Sequence, residues 1–384
     1  MVDKMNDKIN ELKILTYKSG QFIFTAKHRS EELSALFIES RMLYGMIADI
    51  PILPDLASKI EDELILKSIF STAAIEGNSL SEERVKEILS DKSPVEGDKK
   101  KKELEISNLK EAYNYVKSLP VQKDGFILTE DIVRHIQLLV TQNVDSKGSL
   151  PGKYRNHLVK VNDPEHGGVD VPPKTHDDIK MLMDEFCKWI NSEGVKNINP
   201  IIRAAIGHYY IARIHPFGDG NGRTARLVEA LFLFQSGIKY VPVMLSNYYY
   251  YHLDDYFRAF ASAIQSKEND VTDFLSFVLK GHVESQNVIK ARIFDYIRMF
   301  TLRDYYLFLR KEKKISQREY DFLDSVLNVR KKFTLKEIND ISGLNIIYRN
   351  VGERTLRRDL DKLQAMKLIL KEENIYSLNL HVLG

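Results

Sequence analysis

Apolar positions recur at a helical period along most of the chain from Glu31 to Ser285, which predicts a mainly α protein. The clearest run is Ile201 to Ile214. Asn199 and Pro200 open it as cap and first-turn residues, and Pro216 cannot continue it, so His215 falls at its C-terminal end. Helical spacing resumes at about Asn221, where Leu227, Val228, Leu231, Phe232 and Phe234 make an apolar surface. Further helices are expected from about Asp62 to Glu76, from about Glu103 to Ser118 and from about Ser276 to Arg298, with a Lys/Arg-rich helical stretch from Arg303 to Arg318. The helical period breaks once. Leu158, Val159 and Val161, then Val169 and Val171, flank a turn of Asp163, Pro164, Gly167 and Gly168, and Pro172 and Pro173 end the second strand. That pattern predicts a β-hairpin.

The C-terminal part has a different rhythm. Phe333 to Ser342 reads as a short helix with Thr334 as cap and Glu337 three residues on. A second helix is expected from Gly352 to Met366, with Leu356, Leu360 and Leu363 inward and Arg354, Arg357, Arg358 and Lys362 outward. Short strands at Leu368 to Leu370 and Ile375 to Leu378 follow. This order resembles a winged helix-turn-helix. From Lys331 onward there are ten Lys and Arg against seven Asp and Glu, a net +3, which is mild for DNA. Contact with DNA and contact with protein, including a homodimer contact, both stand as expectations.

Composition narrows the class. A chain of 384 residues with 43% hydrophobic residues is long enough for two or three domains. The expected division is 1–100, an N-terminal helical region; 101–285, a helical core; 286–330, a helical connector; and 331–384, the winged helix. A formal charge of +2 argues against a general polyanion binder. The charged run from Glu96 to Glu105 is expected as a solvated loop entering a helix. A single cysteine, Cys187, excludes an internal disulfide and a Cys-rich zinc site, and its place after Phe186 on an apolar face marks it as core. No apolar stretch reads as a signal peptide or a membrane span, so a soluble, cytoplasmic protein without membrane contact is expected.

The chemistry is concentrated in HPFGDGNGRTAR, His215 to Arg226. A histidine titrates near neutrality and can take a proton. Asp219 offers hard oxygens of the kind Mg²⁺ prefers. Gly218, Gly220 and Gly222 allow a tight turn that brings backbone N–H groups near a ligand. The N-terminus of the following helix favours an anion. Arg223 and Arg226 lie three apart and share a face, and guanidinium forks match phosphate oxygens. Taken singly, each residue has an ordinary structural explanation. Together they describe a nucleotide-handling active site.

This segment closely resembles the signature of Fic-domain proteins, HPFx(D/E)GNGRxxR, matched by His215, Pro216, Phe217, Asp219, Gly220, Asn221, Gly222, Arg223 and Arg226. The kinase-like Doc branch carries a lysine near the position of Gly222 and is disfavoured. The resemblance implies a Fic helical core with the hairpin as its flap, and transfer of AMP from ATP to a Ser, Thr or Tyr hydroxyl of a target protein. It implies His215 as general base and Asp219 as Mg²⁺ ligand. The loop amides around Gly218, Gly220 and Gly222, with Asn221, would hold the α- and β-phosphates. Arg223 and Arg226 would hold the distal ones. Tyr256, in a YF pair within the aromatic run Ser246 to Phe260, would sit at the adenine, with Asn247 and Tyr248 as further contributors. Upstream, Thr72, Glu76 and Gly77 match (S/T)xxxE(G/N), the inhibitory helix of self-restrained Fic proteins. Glu76 would then pair with Arg226. Locally, the same residues end a helix at Gly77 and Asn78, with Ser79 or Ser81 capping the next. Two other functions remain open beside adenylyl transfer. One is a DNA-binding regulator that uses the core as a nucleotide sensor. The other is Glu76-dependent removal of AMP.

Overall fold

The computed structural model describes residues 11–90, 99–122, 125–144, 150–163, 168–340, 344–349 and 351–383. The chain divides into two compact units, Met1–Lys290 and Ala291–Gly384. The first opens with a hairpin that helical periodicity did not anticipate. Strands β1 (Leu12–Leu15) and β2 (Gln21–Phe24) pair antiparallel, with Leu12 opposite Phe24. So the segment before residue 31 is not helical as expected. It packs on the helices chiefly through Phe24, which is fully buried, its ring 5.5 Å from Trp189 and 5.0 Å from Tyr210, while the turn bonds Asp178 through the Tyr17 N–H at 2.7 Å.

Helices follow in sequence: α1 (Ser30–Ala48), α2 (Pro54–Ile75), α3 (Glu82–Leu89), α4 (Lys99–Ser118) and α5 (Glu130–Thr141). The expected hairpin is present as β3 (Val161–Asp163) and β4 (Gly168–Asp170), paired with Val161 opposite Asp170. It is shorter than its apolar pattern suggested. Leu158 and Val171 lie outside the ladder and are 70% and 55% exposed, so alternation there buries nothing. Pro164 and Gly167 of the expected turn lie outside the described residues.

Next come α6 (His176–Ile190), α7 (Glu193–Lys196), α8 (Pro200–Ile214), α9 (Asn221–Gln235), α10 (Leu245–Tyr251), α11 (Leu253–Gln265) and α12 (Thr272–Lys311). The pair α8 and α9 forms the centre, and most residues of both are buried. Close approach is possible because Gly207 lacks a side chain: a Cβ there would meet Phe232 Cε2 at 2.8 Å. Cys187 on α6 is partly buried, and burial pushes its thiol up to about 12.

Several helix starts lie earlier than expected. α2 begins at Pro54, a residue well suited to a first helical turn, and α4 begins at Lys99. Residues 96–98 of the expected charged loop lie outside the described residues. The two segments anticipated at Ser276–Arg298 and Arg303–Arg318 join as α12 through Lys311, since no Gly or Pro separates them.

The second unit contains the end of α12, α13 (Gln317–Val329), α14 (Leu344–Ile347), α15 (Glu353–Ala365) and the antiparallel strands β5 (Ile369–Glu372) and β6 (Ile375–Leu378). Its core joins Leu302, Tyr306 and Phe322 to Leu344, Leu360 and Tyr376. Residues 286–330 therefore share a core with 331–384 rather than merely leading to it. The short helix expected at Phe333–Ser342 is a 3₁₀ turn over Lys336–Asp340, and Ser342 lies outside the described residues. Glu337 does reach back to the Thr334 N–H at 2.8 Å. Among the described residues no helix is long and apolar enough to cross a membrane.

Candidate active site

The site is built on the turn between α8 and α9. Asn199 caps α8 through the Ile201 N–H at 2.9 Å, and Pro200 occupies its first turn. The helix stops at His215, which adopts φ 50° and ψ 57°. A non-glycine residue rarely takes this left-handed conformation, and surrounding contacts must hold it there. His215 Nδ1 lies 3.2 Å from the Ala212 carbonyl oxygen. A carbonyl can only accept, so Nδ1 carries the proton and Nε2 keeps its lone pair. Burial lowers the pKa of His215 below the ordinary histidine value, and Arg155 adds to that. The Ala212 carbonyl, Glu76 and Asp219 act the other way. The imidazole is thereby favoured in its neutral, proton-accepting form.

The glycine turn is pinned from inside and outside. Asn221 Oδ1 accepts from the Phe217 N–H and Asn221 Nδ2 donates to the Phe217 carbonyl, both at 2.9 Å. Its side chain is thus spent on the loop itself, and its contribution to an anion site is to shape the turn. Gly220 sits at φ 79°, and a Cβ there would lie 2.7 Å from Thr141 Cγ2. Gln137 on α5 donates to the Asp219 carbonyl at 2.9 Å while its Oε1 accepts from the Gly152 N–H at 2.6 Å.

Asp219 uses one oxygen. Oδ1 accepts from the Gly220 N–H at 2.6 Å and from Arg223 Nη2 at 2.8 Å. The carboxylate is 30% exposed, whereas Arg223 is nearly buried. Arg226 lies deeper, with a side chain 2% exposed. Arg223 and Arg226 were expected to share one anion. Here they point to different carboxylates, Arg223 to Asp219 four residues before it and Arg226 to Glu76.

That pairing comes from α2. Gly77 at φ 85° ends the helix, with its N–H on the Ala74 carbonyl at 2.9 Å and the Asn78 N–H on the Ala73 carbonyl at 3.0 Å. The end is therefore fixed, and Ser81 caps α3 through the Arg84 N–H. Glu76 Oε1 meets Arg226 Nη2 at 2.6 Å, and the Thr72 carbonyl accepts from the same nitrogen at 3.3 Å. Burial works against the charge on Arg226, but Glu76 and Tyr256 outweigh it and raise its pKa. Gly222 makes room for the pairing, since a Cβ there would overlap the Glu76 carboxylate. Among the described residues, four buried polar atoms nearby have no hydrogen-bond partner: Thr72 Oγ1, Arg223 Nε, Thr224 Oγ1 and Arg226 Nε.

Every motif residue from His215 to Arg226, and Glu76 from far upstream, converges here. Tyr256 comes too, but behind Arg226. It is 4% exposed, its hydroxyl lies 2.9 Å from His208 Nε2, and it is near enough to favour the charge on Arg226. His208 Nδ1 lies 2.9 Å from Glu229 Oε2, and Tyr249 donates to Glu229 Oε1 at 2.8 Å. Asn247 accepts from Ser71 at 3.1 Å, and Tyr248 is buried. The sequence did not single out His208, Glu229, Gln137 or Arg155. For the first two a signal existed: His208 is the one ionisable group among residues 204–208 of α8, and Glu229 is the one charged residue among residues 227–234 of α9.

The site is thus a buried helix that ends in a left-handed histidine, followed by a glycine turn that opens a second buried helix. Residues 127–233 match the Fic/DOC family, so that segment of the chain is a Fic domain. The chain is similar to the "Protein adenylyltransferase Fic" of Aedes aegypti, 32% identical over 220 residues, 57% of this chain and 40% of that protein. It is also similar to the protein of that name in Nematostella vectensis, 31% identical over 57% of this chain and 47% of that one. The chain thus spans less than half the length of these relatives. Among solved structures, a Fic family protein from Desulfovibrio desulfuricans G20 shares the fold at TM-score 0.56 and 19% identity, over 90% of this chain and 95% of that one. Fic-1 of C. elegans does so at TM-score 0.56 and 23% identity, over 69% and 73%.

Proposed function

We propose that this chain is a protein adenylyltransferase that moves AMP from ATP to a Ser, Thr or Tyr hydroxyl of a protein target or of itself, and that Glu76 restrains it. One observation carries the reading: a neutral imidazole with Nε2 left as acceptor stands beside a helix N-terminus whose guanidinium is held by a carboxylate at 2.6 Å. In the reaction the target hydroxyl oxygen bonds to the α-phosphorus. The bond from that phosphorus to the bridging oxygen breaks, pyrophosphate leaves, and the hydroxyl proton passes to His215 Nε2. The loop amides and the start of α9 stabilise the charge. With Glu76 engaged, Arg226 is unavailable to the distal phosphate. The relatives named above carry the same activity in their names, which supports this assignment.

Mg²⁺ suits the donor set. Among the described residues no group of three or more His, Cys, Asp or Glu could hold a metal by itself. Mg²⁺ usually needs only one or two carboxylates beside substrate phosphates, and Asp219 Oδ2 is the oxygen left for it once Oδ1 is engaged. The bound ion would offset phosphate charge. The orphaned polar atoms of Thr72, Arg223, Thr224 and Arg226 fit a site that receives a polar, anionic ligand.

The test is transfer of label from α-labelled ATP by the Glu76→Gly protein in cell lysate with Mg²⁺, followed by mass spectrometry of the modified side chains. A mass increment of AMP on a hydroxyl residue is expected, and none with His215→Ala in the same background. Unlabelled proteins throughout would refute the activity.

The C-terminal unit carries a second proposal, a winged helix that contacts DNA or a protein. A cleft of about 1110 Å³ lined by Arg349, Arg357, Lys371 and Tyr376 lies beside α15, and Arg354 and Arg358 are exposed on that helix. Arg357 and Lys362 are partly committed, to Glu353 at 2.6 Å and Glu319 at 2.9 Å.

A further inference from the structure

Arg155 lies outside every motif discussed above, between Gly152 and the hairpin. It is 3% exposed, and the guanidinium has no carboxylate partner among its described contacts. Its donors go instead to three carbonyls. Nε donates to the His215 carbonyl, Nη1 to the His157 carbonyl and Nη2 to the Pro173 carbonyl, each at 2.8 Å. Its backbone N–H donates to the Pro216 carbonyl at 2.9 Å. Two successive carbonyls, those of His215 and Pro216, are thus held by a single residue. Holding both fixes the peptide planes after the left-handed His215, and so the direction in which its imidazole leaves the chain. The other two carbonyls flank the hairpin, His157 before β3 and Pro173 after β4. A rigid planar fork sets these three points at fixed separations, which a flexible ammonium cannot do.

We propose that Arg155 is a positioning residue that holds the base His215 and both roots of the β3–β4 hairpin in one frame, and so sets the distance between Nε2 and a hydroxyl presented on that hairpin. The inference rests on the transferase reading, with the hairpin as the strand that receives the target segment. Arg155 touches neither the phosphate turn at Gly220 nor Arg226 in any contact described. Its loss should therefore damage transfer without damaging nucleotide binding. A misplacement of about 1 Å can cost on the order of 100-fold in rate.

The experiment uses the full chain carrying Glu76→Gly, with Arg155→Lys and Arg155→Gln added separately. Expected for both is a fall of roughly 10- to 100-fold in self-modification, with the Kd for ATP and Mg²⁺, measured by calorimetry, within about twofold of the parent. The pH profile separates charge from shape. Arg155 faces His215 together with Glu76 and Asp219, and it alone of the three disfavours the imidazolium. Arg155→Gln should move the acid limb to higher pH, and Arg155→Lys should leave it in place. Unchanged transfer by Arg155→Lys, or a loss of ATP affinity in proportion to the loss of rate, overturns the proposal. An inactive Glu76→Gly parent overturns the transferase reading instead. Native-state hydrogen exchange on the unsubstituted chain needs no variant to fold. Segments 155–161 and 215–221 should open together with one free energy, and separate opening would contradict a shared frame.

Discussion

At the scale of the residue, His215 is the proposed base. Its Nδ1 is committed to the Ala212 carbonyl, so substitution by Ala removes the proton acceptor and little else. His215→Ala should lower transfer by about 100- to 10,000-fold while ATP binding persists, as measured by single-turnover kinetics beside calorimetry. The sign of the pH effect follows from burial. The charged form is disfavoured, so the neutral base survives to lower pH than an ordinary histidine near 6.5. Activity should hold as pH falls to that value and decline only below it, with the acid limb of kcat/KM as the measurement. Glu76 gives the converse case. Glu76→Gly frees Arg226 and should raise transfer, whereas adding Arg226→Ala should abolish the gain because the clamp itself is lost. A flat response to Glu76→Gly at saturating ATP would end the inhibitory role.

At the scale of the element, the site depends on where two helices stop and one starts. α2 ends at Gly77, α8 ends at His215 and α9 starts after Gly220. Gly220 is required twice over, by its positive φ and by Thr141 at 2.7 Å from any Cβ. Gly220→Ala should cost about 1–3 kcal/mol from overpacking and more from the left-handed backbone. Differential scanning calorimetry of the full chain should show a lowered Tm, and ATP affinity should fall because the turn cannot close. A variant as stable and as tight-binding as the parent would mean that Thr141 yields freely. Periodicity made most of these helices legible, since one face of each is buried. The β1–β2 hairpin escaped because four-residue strands give too few alternations to outweigh the helical frame around them.

At the scale of the whole molecule, the chain carries the candidate active site in the unit ending at Lys290 and a basic, cleft-bearing module in the unit that follows. If the second unit binds DNA, Arg354, Arg357 and Arg358 on α15 contribute phosphate contacts. Replacing all three by Ala should weaken binding and flatten its salt dependence, each lost phosphate contact lowering the slope by roughly one. Leu356, Leu360 and Leu363 remain in place, so the unit should keep its fold. Gel shifts across a salt series on genomic fragments, beside a transfer assay on the same protein, supply the check. No shift by the unsubstituted protein at low salt would favour a protein partner.

The sequence by itself determined the local events. It placed the helix ends nearest the site, at Gly77, His215 and Asn221, because caps, proline and glycine act within a few residues, and it marked the residues from His215 to Arg226 as one chemical site. It also marked Glu76, through a short pattern whose partner lies 150 positions away. What only the tertiary structure decided is which groups each of these faces. Asn221 closes its own loop, Tyr256 backs Arg226, and His208, Glu229 and Arg155 join a site to which no pattern assigned them. The physical reason is that a buried polar atom must find a partner wherever the fold brings one. Helix propensity is written along the chain, whereas partners such as Arg155 and the His215 carbonyl, 60 positions apart, meet only when it packs.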